Sequence, residues 1–229
     1  SNRIMDISLG LGAEIRKNLV IGIGGGYQVS RISDNLDSNK NIEMKFPYYN
    51  ALGYYDTRDS AVFPKKGAFV RLDYVGASTG DAEFNTINVR AEYNQEIGKK
   101  ITVTPNMRYV TTNGDKIPET YYPKLGGYKN SDYSFEFRGI ASSKYRGKSL
   151  LIGGLKLQYN ITDFIFADII FSNASISEDS FTIGSRMKQS YSTGLGVKTP
   201  IGPAFIGVSK TDGEDTTYFF NLGYDVYAE

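Results

Sequence analysis

Few side chains in this chain could carry a reaction, and their types narrow the chemistry further. Cysteine and histidine are both absent from its 229 residues. That removes disulfides, thiolate or imidazole metal ligation, and any mechanism using a cysteine or histidine group. Gly76-Ala77-Ser78-Thr79-Gly80 has the G-x-S-x-G spacing of a nucleophile elbow. Such an elbow needs a strand before the serine, a helix after it and a base within reach. Here an alternating strand pattern resumes by Phe84 and there is no histidine base, so the segment reads as a loop. A serine–aspartate dyad would avoid the missing base but not the missing helix. Asp212-Gly213-Glu214-Asp215 could hold a cation, but a short acidic hairpin loop accounts for it. Lysine and arginine number 26 against 25 acidic residues, a net charge of +1, which gives no electrostatic footprint for nucleic acid. The chain is therefore expected not to be an enzyme and to use no metal or cofactor.

The elements that would position any site are strands. One parity in Leu151, Gly153, Leu155, Leu157, Tyr159 and Ile161 is apolar, while Gly154, Lys156, Gln158 and Asn160 fill the other. The same period-two pattern runs through Ala68–Val75, Ile87–Asn94, Asp6–Ile15 and Tyr218–Asp225. Alternation of this kind marks strands with one apolar and one polar face. About eleven such segments follow one another, at 3–15, 19–32, 42–55, 67–77, 84–96, 101–112, 148–161, 163–172, 190–199, 204–210 and 217–226. Several approach or exceed the roughly 9–11 residues that a tilted strand needs to cross a bilayer. No run of about 18 apolar residues could cross as a helix. Connections alternate in length: tight turns at Lys17-Asn18, Gly98-Lys99-Lys100, Thr162-Asp163 and Pro200-Ile201-Gly202-Pro203 fall between longer stretches at 33–41, 78–83, 113–147, 173–189 and 211–216. The exception is 56–66, long where a short turn is due. Short turns on one side and long loops on the other fit an antiparallel transmembrane β-barrel of about 11–12 strands. Tyr48, Tyr49, Tyr54, Tyr55, Tyr218 and Phe219 stand where interfacial girdles would lie. The competing reading is a soluble β-sandwich or small β-barrel binding module, with the apolar parity turned inward.

Four ordered motifs resemble the C-terminal β-barrel of the bacterial surface antigen family, the superfamily of BamA and TamA. Tyr55-Asp56-Thr57-Arg58-Asp59-Ser60-Ala61-Val62-Phe63-Pro64-Lys65-Lys66-Gly67 resembles its D-x-R-D-x-x-x-x-P-x-x-G turn on the periplasmic side. Pro64 and Gly67 suit a turn, and Asp56, Arg58 and Asp59 can satisfy one another there. Leu125-Gly126-Gly127, followed by Phe137-Arg138-Gly139-Ile140, is similar to the family's long inserted loop. Phe166-Ala167-Asp168-Ile169-Ile170 resembles its F-x-D-x-G strand, with Ile170 in place of glycine. Gly194-Leu195-Gly196, continuing to Thr199-Pro200-Ile201-Gly202-Pro203, resembles its G-x-G and T-P-x-G-P hairpin. The alternating aromatic end Phe219-Phe220-Asn221-Leu222-Gly223-Tyr224-Asp225, which runs on to Val226-Tyr227-Ala228-Glu229, looks like its C-terminal strand.

The resemblance implies that the long loop folds into the barrel and that Arg138 pairs with Asp168. Parity agrees, because Phe166 and Asp168 fall on the polar face, and an aspartate facing lipid would be unfavourable. It also implies an outer-membrane protein that inserts or translocates other proteins, a barrel of about sixteen strands when complete, and partners comprising outer-membrane lipid and unfolded outer-membrane or secreted proteins. Alternatives within the superfamily are the translocator barrel of a patatin-like phospholipase autotransporter and a two-partner secretion transporter. Residues 1–229 are expected to form one barrel domain, truncated at its N-terminus and lacking periplasmic or passenger domains. Open edges would favour pairing with a second copy.

Overall fold

The computed structural model describes residues 2–33, 41–127, 133–184, 186–199 and 202–223. Six long strands come first: β1 (Asn2–Arg16), β2 (Leu19–Ser33), β3 (Asn41–Asp56), β4 (Gly67–Ala77), β5 (Glu83–Ile97) and β6 (Ile101–Lys116). A long connection follows, holding a 3-10 turn at Glu119–Tyr121 and three two-residue strands, β7 (Lys124–Leu125), β8 (Ser134–Phe135) and β9 (Tyr145–Arg146). Five more long strands complete the chain: β10 (Ser149–Asn160), β11 (Ile165–Ser177), β12 (Arg186–Thr199), β13 (Gly202–Thr211) and β14 (Thr217–Leu222). The long strands form one 11-stranded sheet in sequence order, β10 following β6 directly, and every pair is antiparallel. β1 and β14 are its edges, and no pairing joins them among the described residues. No helix is long and apolar enough to cross a membrane, which says nothing about strands.

Which parity faces outward separates a membrane barrel from a soluble sheet. The apolar parity lies on the outside: Leu72 is 50%, Ile169 58% and Ile206 62% exposed. The polar parity faces the concave interior, where Thr86, Thr112, Asn94, Gln158 and Asp168 are buried. A soluble sandwich buries the opposite face. An exposed apolar surface of this extent is unfavourable in water and matched to lipid. The fold is thus the all-β, antiparallel transmembrane β-barrel type, with its sheet open between β1 and β14.

Each of the eleven expected segments is a strand, but several run further than the alternation suggested. β11 reaches Ser177 and β12 starts at Arg186, so the connection expected at 173–189 shrinks to 178–185. β6 likewise extends to Lys116. The cause is apolar residues on the inward parity, Val110 on β6 and Ala174 and Ile176 on β11, which pack on the inserted loop and hold the strands extended. Parity also corrects the girdle. Tyr49, Tyr55 and Tyr218 face outward and are exposed. Phe219 is buried in an interior cluster, Tyr48 donates from its hydroxyl to Asp6 Oδ1 at 2.9 Å, and Tyr54 lies 6.4 Å from the buried Phe69 ring. Residues 34–40 of the loop expected at 33–41, Pro200 and Ile201 of the Pro200–Pro203 turn, and the end of the chain from Tyr224 to Glu229 lie outside the described residues.

The outward assignment has a direct test. Leu72→Arg, at the middle of β4, should lower the stability of the barrel folded into lipid vesicles by about 2–4 kcal/mol. Urea titration of vesicle-folded protein reads this; unchanged stability would contradict a lipid-facing Leu72.

Candidate functional site: an inserted loop held in the lumen

The connection between β6 and β10 does not project away from the sheet. It turns back into the interior. Leu125, Phe135, Phe137 and Ile140 are buried against Val110, Leu150, Ile152, Ala174 and Ile176 of β6, β10 and β11. Backbone bonds shape it: Gly126 N donates to Phe135 O, Gly127 N to Ile140 O, and Phe137 N to Gly127 O. Tyr121 anchors its first part, its ring 4.4 Å from that of Phe84 and its hydroxyl donating to Gln28 Oε1 at 2.8 Å. Residues 128–132 of the loop lie outside the described residues.

Arg138 sits at the inner turn. Its carbonyl accepts hydrogen bonds from Ser190 Oγ at 2.6 Å and Thr211 Oγ1 at 2.9 Å, which tie the loop to β12 and β13. Gly139 adopts φ +86°, and a Cβ there would meet Thr211 Oγ1 at 2.6 Å, so conformation and space both call for glycine. The guanidinium lies 5.1 Å from the ring centres of both Phe205 and Phe219. Its Nε donates to Glu136 Oε1 at 2.7 Å, while Nη1 stands 4.0 Å from Asp168 Oδ2. The structure brings Arg138 and Asp168 together, but a bidentate pair does not form. Asp168 Oδ1 is buried without a hydrogen-bond partner among the described residues. Glu136, two residues from the arginine, is the nearer carboxylate. Nothing in the sequence pattern singled it out.

The turn at 57–66 is built as tightly. Arg58 Nε and Nη2 donate to the two carboxylate oxygens of Asp56 at 2.9 and 2.8 Å, and Nη1 donates to Glu92 Oε1 at 3.0 Å. Asp59 Oδ1 accepts from the backbone N–H of Lys65 and of Lys66 at 2.8 and 3.2 Å. Gly67 has φ +102°, and a Cβ would meet Thr57 O at 2.2 Å. Pro64 lies within the turn, ahead of Gly67. Phe63, a variable position of the motif, reaches into the interior.

Phe63 connects the motifs. Its ring is 5.9 Å from Phe166, Phe166 is 6.1 Å from Phe205, and Phe205 is 5.5 Å from Phe219. Arg138 therefore rests on one end of a file of four phenylalanines whose other end is the turn. The glycines of β12 and β13 make room for it. A Cβ at Gly196 would lie 2.2 Å from Phe166, one at Gly194 2.7 Å from Phe205, and one at Gly207 2.5 Å from Phe219.

Residues 7–226 match the family model of the OMP85 superfamily. The chain belongs to the OMP85 superfamily. Among solved structures, the crystal structure of BamA from Haemophilus ducreyi lacking POTRA domains 1–3 superposes with a TM-score of 0.78 at 14% identity, covering 96% of this chain. The chain spans about half of that structure, 53% of its length. No curated protein sequence matches it. The two remaining sequence candidates take ordinary places in this OMP85 chain. Ser78 lies in the hairpin connection between β4 and β5, followed by a strand and not a helix. Glu214 tethers the inserted loop: Lys144 Nζ and Tyr145 Oη each lie 2.6 Å from its carboxylate.

Two outcomes are expected. Gly196→Ala should destabilise the folded barrel by about 1–3 kcal/mol through overpacking on Phe166, whereas Gly153→Ala, with nothing within 4 Å, should be close to neutral. Urea midpoints of the two variants compare them. Hydrogen bonds from Lys144 and then Tyr145 hold the Glu214 carboxyl below the usual carboxylate range. Because its folded value is depressed, the tether is fully present above the unfolded carboxylate pKa, about 4.3, and is lost as pH falls through the lower folded value. Protease cleavage within 141–147 should accordingly rise at acid pH in the wild type and be high at all pH values in Glu214→Gln.

Proposed function

We propose that the chain is the membrane barrel of a bacterial outer-membrane machine that inserts or translocates other proteins, with the inserted loop as its internal plug. The observation that carries the reading is the loop turned into the lumen, with Arg138 held among Glu136, Asp168, Phe205 and Phe219 in a chain of the OMP85 superfamily. The apolar outer face supports a location in the outer membrane. Its partners would then be lipid on that face and unfolded polypeptide at the rim or lumen, with further strands and periplasmic domains of a longer protein completing a barrel of about sixteen strands. On this reading the protein performs no bond-making chemistry: its work is exchange of packing and backbone hydrogen bonds between itself and a client strand. Arg138 and Asp168 act by positioning the plug.

The test uses the chain folded into lipid vesicles with a urea-denatured outer-membrane barrel as client. Client folding should be faster than in protein-free vesicles, and Arg138→Ala should reduce the acceleration while leaving residues 133–147 more open to protease. Equal client folding rates with and without the protein would defeat the proposal. Arg138→Ala with unaltered protease protection would remove the plug role assigned to Arg138.

A further inference from the structure

Arg71, Arg90 and Arg108 occupy directly paired positions on neighbouring strands: Arg71 pairs with Arg90, and Arg90 with Arg108. All three stand on the inward parity, so three guanidinium groups lie side by side across the wall of β4, β5 and β6. Like charges opposite one another on adjacent strands disfavour the sheet, and each arginine has local support. Arg71 Nε lies 2.9 Å from Asp73 Oδ1, and Arg90 Nη2 3.1 Å from Glu92 Oε2. Arg108 donates to Asn88 Oδ1 at 3.3 Å and sits over the Phe135 ring at 4.6 Å.

Two members of the row open on a lumenal cavity of about 290 Å³, whose other charged lining residues are Glu92, Glu136, Arg138 and Lys156. Four cations against two carboxylates leave that wall at +2, and counting Asp168 beside Arg138 still leaves +1. Both wall carboxylates are engaged: Glu92 by Arg58 and Arg90, Glu136 by Arg138. Lys156, on β10, has no ion pair or hydrogen bond among the described residues. An ammonium group removed from bulk water is unfavourable unless well paired, and the carboxylate that acts on it most strongly, Asp168, is shared with Arg138.

We propose that this cavity binds a small oxyanion of the inorganic phosphate class. The planar guanidinium forks of Arg90 and Arg108 suit the acceptor geometry of an oxyanion, and Lys156 supplies a point charge. The cavity has several times the roughly 30 Å³ that one water occupies in the liquid, enough for the anion with bridging waters. The excess positive charge is what the anion offsets.

The full chain folded in a non-ionic detergent without phospholipid, with heat-modifiable gel mobility as the folding check, is titrated calorimetrically with inorganic phosphate at low ionic strength. One saturable site is expected. Lys156→Met and Arg108→Gln should each weaken it roughly tenfold, the loss of one charge-assisted contact, while Lys99→Gln in the β5–β6 turn leaves it unchanged. Phosphate should also raise the wild-type urea midpoint above that in chloride of equal ionic strength, a readout that needs no variant. Absence of saturable binding by the folded wild type, equal binding by folded Lys156→Met, or equal midpoints in phosphate and chloride would overturn the proposal. Since none of these measurements involves a client protein, failure here is distinct from failure of the insertion or translocation reading.

Discussion

The structure depends on a constraint of solvent: the outer face of every strand meets hydrocarbon, so every polar group must find its partner along the sheet or inside it. Backbone groups are satisfied by the antiparallel ladders. Side chains are sorted by parity, which sends threonines, asparagines, glutamines and charges to the concave face, where they bond one another. Thr86 to Thr112 and Thr104 to Asn94 are such pairs, 2.9 and 2.8 Å long. A soluble β-domain can leave an unpaired hydroxyl to water. This interior supplies such partners from within where it can, and Asp168 Oδ1 is left without one among the described residues.

The inserted loop meets that requirement in two ways. Leu125, Phe135, Phe137 and Ile140 cover the apolar residues that break the polar lining near one end of the strands, making an internal core. Its polar backbone and Arg138 go to Ser190, Thr211 and Glu136. The loop is therefore a folded part of the barrel interior with its own short strands, and Gly139 stands where it comes closest to β13 at Thr211.

Much of this was legible in the sequence, because period-two alternation is a direct image of a two-solvent environment. Strand number, connection pattern and the placement of Phe166 and Asp168 on the polar parity all follow from it. Which face is wet does not, since alternation is symmetric between inside and outside until exposure is known. The extra length of β6, β11 and β12 had a readable signal that parity alone discards: Val110, Leu150, Ile152 and Ile176 are apolar on the polar face, which marks the wall against which the loop packs. Glu136 and Phe63 had none. Each is an unremarkable residue beside or inside a motif, and its role comes from contacts across the interior with elements distant in the chain. Nearness to a strand end suits Phe219 to a girdle, but its parity turns the ring inward to Phe205.

The file of phenylalanines from Phe63 to Phe219 makes the two rims a single cooperative unit. Phe166 is packed on one side by the β3–β4 turn and followed on the other by the ring that supports Arg138. Local opening of the turn leaves Phe166 with one flank uncovered, so its free energy is shared with the seating of the loop, and the reverse holds by linkage. Turn and loop, with Phe63 and Arg138 about a third of the chain apart, then exchange amide hydrogens as one block, more slowly than either would alone.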